Sequence, residues 1–213
     1  MISTDFKVRQ LGLQSYVNCW ELMKQFTSLR TENTPDEIWF LEHQPVFTQG
    51  QNGKAEHILN PGDIPVIQSD RGGQVTYHGP GQLVVYTLID LRRKQLNIRE
   101  MVSILENSVI QLLENYSIHG IAKREAPGVY VDDKKIASVG LRVRKGCTYH
   151  GLALNVSMDT EPFTRIHPCG YQNLAVTQLS EFISSIKINT VIQQLIDLFP
   201  RVLGYNALLT LEN

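Results

Sequence analysis

The chain of 213 residues is 42% hydrophobic and 19% charged, within the range of a globular domain that can bury most of its apolar surface. Its 20 Lys plus Arg against 21 Asp plus Glu give a net charge of −1, which excludes a bulk electrostatic pull toward nucleic acid or anionic membrane. Cys19, Cys147 and Cys169, odd in number and scattered, exclude a disulfide framework and suit a reducing compartment.

The opening MISTDFKVRQLGL has no basic stretch followed by an apolar core, and no run of about 18 apolar residues occurs anywhere. A soluble cytoplasmic protein is expected. Residues 7–13 alternate in the manner of a strand, and Cys19, Trp20, Met23, Phe26 and Leu29 then recur at helical spacing, which places Cys19 on a packing face. Residues 37–43 and 46–48 read as strands broken at Pro45, followed by a loop over 50–53. His43 either lines a pocket or merely ends its strand. A turn at 61–65 and a short lead at 66–68 bring the chain to residues 69–91, around which the sequence is organised. The first part, 71–82, reads as a glycine-rich loop, and 82–91 reads as a strand buried on both faces.

Arg92, Arg93 and Lys94 fall on a surface connection. Asn97 can cap the next helix with Glu100 reaching back to it, and Met101, Leu105, Val109, Leu112 and Tyr116 continue it toward Gly120. Strands follow at 128–131, 135–144 and 148–156, joined by turns at Asp132-Asp133 and Lys145-Gly146, and form an antiparallel sheet. Residues 158–173 carry no periodicity. Helices near 178–186 and 190–199 close the chain. The sum is an α+β fold, a mixed or antiparallel sheet flanked by helices.

Three stretches carry chemistry-bearing residues. In the loop, Gly72, Gly73, Gly79 and Gly81 let the backbone approach a ligand, while Arg71, Gln74, Thr76, Tyr77 and His78 add donors, acceptors and a titratable ring. In KKIASVGLRV, Lys135 shares its parity with Ala137, Val139, Leu141 and Val143, so an uninterrupted strand points it inward, where an apolar setting depresses an ammonium pKa. The alternative is a lysine at the strand end reaching back to water. Cys169 lies between Pro168 and Gly170 with His167 two residues before it, a setting less suited to packing than that of Cys19. Cys147, beside a hairpin turn, reads as incidental.

The stretch RGGQVTYHGPGQLVVY resembles the signature of the lipoyl (octanoyl) transferases, and EHQPVFTQG, GVYVDDKKIASVGLRVRKGCTYHGLALNV and PCGY resemble the flanking motifs of that family. The resemblance implies the fold of the biotin and lipoate protein ligase catalytic domains, with residues 1–213 as one catalytic domain. It implies transfer of an octanoyl group from acyl carrier protein to a lysine on lipoyl domains of 2-oxoacid dehydrogenase complexes and the glycine cleavage protein. It places a catalytic Cys/Lys dyad on Cys169 and Lys135. Substrate binding falls on Arg71, Gly72, Gly73, Gln74, Val75, Thr76, Tyr77 and His78, on Ser138, Val139 and Gly140, and on Gly151, Leu152 and Ala153. No cofactor, metal, nucleic acid or membrane is expected, and the protein is expected to be a monomer.

Around this reading stand further expectations. The loops at Gly72-Gly73 and 168–170 are candidate oxyanion donors, and His78 and His150 shape the pocket or relay protons. The basic groups at 92–94, 123–124 and 142–145 are candidates for meeting an acidic carrier. Three rivals remain at this stage: an ATP-dependent ligase binding an acyl-adenylate, a metallohydrolase using His78, His150, His167 and Cys169, and a lipid-binding module without turnover.

Overall fold

The computed structural model describes residues 6–172, 174–205 and 209–212. Residues 1–5 and Asn173, which entered the reading above, lie outside the described residues. In chain order the elements are β1 (Phe6–Gln14), α1 (Tyr16–Leu29), β2 (Asp36–His43), β3 (Val46–Gln49), β4 (Val66–Gln68), β5 (Val75–His78) and β6 (Gln82–Leu88). They continue with α2 (Leu91–Lys94), α3 (Ile98–Glu114), β7 (Ile121–Ala122), β8 (Gly128–Val131), β9 (Lys134–Arg144), β10 (Cys147–Asn155), α4 (Ile188–Val202) and β11 (Leu209–Glu212).

Eight strands form one sheet in the order β11-β1-β2-β6-β10-β9-β8-β7. β1 runs parallel to both its neighbours and the remaining pairs are antiparallel, so the sheet is mixed. Strands β2 and β6 send alternate side chains to opposite faces. On one face Ile38, Phe40, Leu83 and Val85 meet Met101, Leu105 and Val109 of α3 and Leu195 and Phe199 of α4. On the other, Trp39, Leu41, Val84 and Tyr86 meet Cys19 and Met23 of α1. With both faces covered, all seven residues of β6 are buried, as a continuous apolar run requires. The thiol of Cys19 is pushed up to about 11 by burial, which fits packing and not reactivity.

The predicted helix start at Asn97 holds: its side chain accepts from the backbone of Arg99 and Glu100, and the Glu100 carboxylate accepts from the Asn97 N–H at 2.7 Å. Four local readings need correction. α3 stops at Glu114, short of Gly120, because Ser117 takes φ +59° and the Ile118 N–H turns back to the Leu113 carbonyl. The strand at 82–91 ends at Leu88, since Asp90 accepts from the backbone N–H of Arg92 and Arg93 and caps α2 there. Residues 178–186 make only a 3-10 turn at Leu179–Glu181, because the Ser180 N–H donates across to Val156 and Ser185 is left-handed. Within the glycine loop, β5 pairs with β3 and joins β4-β3-β5, a small second sheet.

That second sheet shapes the site by sorting its own side chains. Val75 and Tyr77 pack with Phe47, Met158, Phe163 and Ile166 in a separate apolar cluster, while Thr76 and His78 point the opposite way. Among the described residues no helix is long and apolar enough to cross a membrane.

Candidate active site

The β8–β9 hairpin turns at Asp132 (φ +47°) and Asp133 (φ +62°), a left-handed pair that suits a two-residue connection. The register then shifts between Val129 and Tyr130, so Ile136 and Ala137, of opposite parity, both join the main core. The simple alternation that pointed Lys135 inward therefore fails, yet Lys135 is only 3% exposed. It is enclosed because the later segment lies along it: the Lys135 N–H donates to the Ala175 carbonyl at 2.9 Å and its own carbonyl accepts from the Thr177 N–H at 3.0 Å.

The same segment carries Cys169. The turn Pro168–Gly170 puts Cys169 at φ +56°, with the Gly170 N–H donating to the His167 carbonyl at 2.9 Å. The two predicted partners, 34 positions apart, meet there: Lys135 Nζ donates to Cys169 Sγ at 3.1 Å. Burial works against the Lys135 ammonium, but Cys169 and then Tyr130, whose ring centroid lies 5.3 Å from Nζ, outweigh it and hold the amine above its ordinary value. The depressed pKa expected from an apolar setting is thus reversed by the partner at hand.

Gly128 makes this placement sterically feasible. At φ +137°, a Cβ there would fall 2.3 Å from the Ala137 carbonyl oxygen and 2.6 Å from Lys135 Cε. Gly128→Ala should therefore displace Lys135, lowering activity by about tenfold or more and stability by about 1–3 kcal/mol. Turnover and a denaturant titration on the same preparation check this.

Cys169 and Lys135 open onto a cavity of about 430 Å³. Of the predicted substrate-binding residues, Arg71, Gly72, Gly73, Gln74, Thr76, His78, Ser138, Val139, Gly140, Gly151, Leu152 and Ala153 line it. Val75 and Tyr77 do not, because the alternation of β5 turns them into the other cluster. Tyr16, Val84, Tyr86, Ile98, Val102 and Leu141 line it as well and were not anticipated. Strand and helix periodicity had marked several of these only as core. A core position beside a cavity has the same sequence pattern.

Arg71 lines the cavity, but its guanidinium is committed to the loop. It donates to the Thr48 carbonyl at 2.5 Å, to Thr48 Oγ1 at 2.9 Å, to the Gln74 carbonyl at 2.7 Å and to the Gly72 carbonyl at 2.9 Å. It fixes the shape of the glycine segment that the Gly72 N–H ties to Leu141 of β9 at 2.9 Å. The Gly72 and Gly170 amides are thereby engaged, which removes these two from the candidate oxyanion donors.

Beneath the loop lies a buried set of rings. Thr48 Oγ1 accepts from Arg71, so its own hydroxyl proton faces His78 Nε2 at 3.2 Å, and His78 Nδ1–H donates to Gln82 Oε1 at 2.7 Å. His43 lies behind it with Nδ1 on the Gln14 carbonyl at 3.1 Å and Nε2 on the Tyr86 hydroxyl at 2.6 Å. It ends β2 and does not line the cavity. His150 places Nε2 on Asp70 Oδ1 at 2.9 Å while its Nδ1, also buried, has no partner. Burial raises the Asp70 carboxyl, but donation from His150, the Tyr149 hydroxyl and the Trp20 indole outweighs it and holds Asp70 well below the usual range. His167 stays off the cavity, its ring 6.0 Å from that of His57. Among the described residues no three His, Cys, Asp or Glu side chains converge as a metal site.

Burial pushes His43 down to about 4 from 6.5, and His78 is likewise lowered well below its ordinary value. The unfolded chain therefore takes up these protons first, so stability is full above about pH 6.5 and falls as pH drops toward 4. His43 alone accounts for about 3 kcal/mol of that fall. Urea midpoints compared at about pH 7 and about pH 4 should drop, and drop less in His43→Gln.

The predicted basic groups divide. Arg93 bonds the buried Asp36 at 2.7 Å, Lys94 holds the Gly204 carbonyl at 2.9 Å and covers the Tyr205 ring, and Lys123 pairs with Asp133 at 2.7 Å. These have structural partners, whereas Arg124, Arg144 and Lys145 are exposed.

The family described as the lipoyl protein ligase A/B catalytic domain matches residues 15–200. An octanoyltransferase of Vibrio vulnificus is 59% identical over 198 residues, covering 93% of this chain and 91% of the relative. Two solved structures share the fold. A bi-partite lipoate protein ligase from Thermoplasma acidophilum, described with its E2 lipoyl domain, gives a TM-score of 0.73 at 18% identity, covering 98% of this chain and 88% of that one. The biotin protein ligase of Aquifex aeolicus, in complex with biotin and ATP, gives 0.58 at 13%, covering 93% and 70%. The chain belongs to the lipoyl protein ligase A/B catalytic domain family, among its octanoyltransferases.

Proposed function

We propose that the protein is an acyltransferase that moves an octanoyl group from octanoyl-acyl carrier protein to a lysine of lipoyl domains, by way of an octanoyl thioester on Cys169. The observation that carries this reading is the 3.1 Å contact between Lys135 Nζ and Cys169 Sγ at the wall of a largely apolar cavity. In the first half, the Cys169 thiolate attacks the carrier thioester, and the departing carrier sulfur takes a proton from Lys135. In the second, the acceptor amine attacks the octanoyl-Cys169 carbonyl, Lys135 recovers a proton from that amine, and the amide forms as the thiolate returns.

The donor is already an activated thioester, so exchange onto Cys169 is nearly level and amide formation runs downhill without ATP, cofactor or metal. Val139, Leu141, Leu152 and Ala153 supply an apolar wall for the alkyl chain, worth up to about 0.8 kcal/mol for each buried CH₂. Ser138, Gly140 and Gly151 leave that wall thin. The acceptors are lipoyl domains of 2-oxoacid dehydrogenase complexes and the glycine cleavage protein. The protein works as one domain and a monomer in the cytoplasm, with Arg124, Arg144 and Lys145 meeting the acidic carrier.

The test is a lipoyl domain incubated with the protein and octanoyl carrier protein without ATP. One octanoyl group on the domain's lysine is expected. Labelling that instead requires ATP and free octanoate, and persists in Cys169→Ala, would assign the ligase reaction and contradict the proposal.

A further inference from the structure

The second half-reaction leaves one proton unaccounted for. An acceptor lysine enters as an ammonium and must lose one proton before it attacks and another as the tetrahedral adduct collapses to the amide. Lys135, left neutral by protonating the carrier sulfur, can take the first and so regain the ammonium that faces Cys169. It has no capacity for the second.

We propose that His150 Nδ1 takes that second proton, making His150 a catalytic base of the aminolysis step and Asp70 its positioning residue. The inference rests on the acyl-Cys169 reading given above. As the C–N bond forms and the C–S bond breaks, the electron pair leaves on Cys169 Sγ, which ends as thiolate beside the Lys135 ammonium. The second proton of the acceptor ammonium goes to His150 Nδ1, and the imidazolium so formed stays paired with the Asp70 carboxylate.

The geometry singles out this nitrogen. Two histidines line the cavity, His78 and His150. Both ring nitrogens of His78 are engaged, by Thr48 and Gln82. His150 is 1% exposed and has one nitrogen on Asp70, while the other is buried with no partner. The bond to Asp70 fixes the proton on Nε2 and leaves Nδ1 as an acceptor, the division of labour by which a carboxylate orients an imidazole base. Asp70 is itself held by the Trp20 indole at 2.8 Å and by the Tyr149 hydroxyl, so the ring cannot simply turn over. The backbone adds to the aim, since His150 sits within β10 at φ +60°, a left-handed residue inside a strand. Burial keeps the ring below its ordinary pKa although Asp70 pulls it upward, so it rests neutral. Gln74 Oε1 is also buried without a partner on this cavity, but an amide oxygen is not a base that can hold the proton.

The test separates the half-reactions in His150→Gln, which retains a donor toward Asp70, and in His150→Phe. Acylation of Cys169, read by intact mass, serves as the control for folding and for the underlying reading. The acyl-enzyme is then discharged either by a lipoyl-domain lysine or by hydroxylamine, which is neutral at pH 7 and brings one proton fewer. Discharge to lysine is expected to slow by about 100-fold while discharge to hydroxylamine stays near the wild-type rate. Lysine transfer near the wild-type rate overturns the proposal, and so does equal slowing with both nucleophiles, which would mean that His150 only shapes the cavity. If the wild-type protein never acylates, the Cys169 reading has failed and the His150 role goes with it.

Discussion

Cys169→Ala is expected to fold as the wild type does and to lose transfer by about 10⁴-fold or more. The residue is half-buried, donates to nothing in the core and sits in a left-handed turn that alanine occupies at about the same cost as cysteine. Its loss leaves the cavity, Lys135 and the loop in place, so what disappears is the nucleophile and with it the covalent route. Cys169→Ser refines the point. A hydroxyl keeps the position but is far harder to ionise than a thiol, so an oxyester should accumulate slowly and discharge poorly. Transfer measured with octanoyl carrier and lipoyl domain, alongside a thermal melt, checks both. A Cys169→Ala variant that retained transfer would remove the thioester intermediate from the account.

The second large effect concerns Lys135. Lys135→Met removes the ammonium while filling much of its volume, and acyl-enzyme formation should slow by about 10²–10³-fold. Stability should hold or rise, because a buried charge replaced by an apolar side chain of similar size is often neutral or stabilising. Lys135→Arg divides the two duties. Guanidinium stays protonated, so it can support the thiolate but cannot recover a proton from the acceptor amine. Octanoyl-Cys169 should therefore form slowly, since guanidinium gives up no proton to the departing carrier sulfur, and then persist, with transfer to the lipoyl domain stalled. Acylation at the wild-type rate in Lys135→Arg would show that the leaving sulfur needs no proton from Lys135.

What could be read in the sequence was local. The Asn97 and Glu100 cap, the turn at Asp132 and Asp133 and the buried run of β6 follow from neighbours in the chain, and the structure contains each. The meeting of Cys169 with Lys135 was implied by family resemblance alone, since residues 34 apart are brought together by a backbone bridge at 175–177 that no periodicity announces. Parity gave the right burial for Lys135 on the wrong ground, because the register shift opposite Val129 and Tyr130 breaks the alternation. Glycines hid β5, whose four residues split between cavity and core, and so Val75 and Tyr77 were grouped with their cavity-facing neighbours. Arg71 was identifiable as a polar residue in a loop, but its commitment to Thr48, Gly72 and Gln74 depends on contacts the linear order does not show.

The most direct test of the account is the intact mass of the protein after brief incubation with octanoyl carrier protein alone, followed by peptide mapping. A single octanoyl group on Cys169, formed without ATP and released when a lipoyl domain is added, is the predicted result. An unmodified protein that nonetheless octanoylates the lipoyl domain, or an adduct mapped to Cys19 or Cys147, would contradict it.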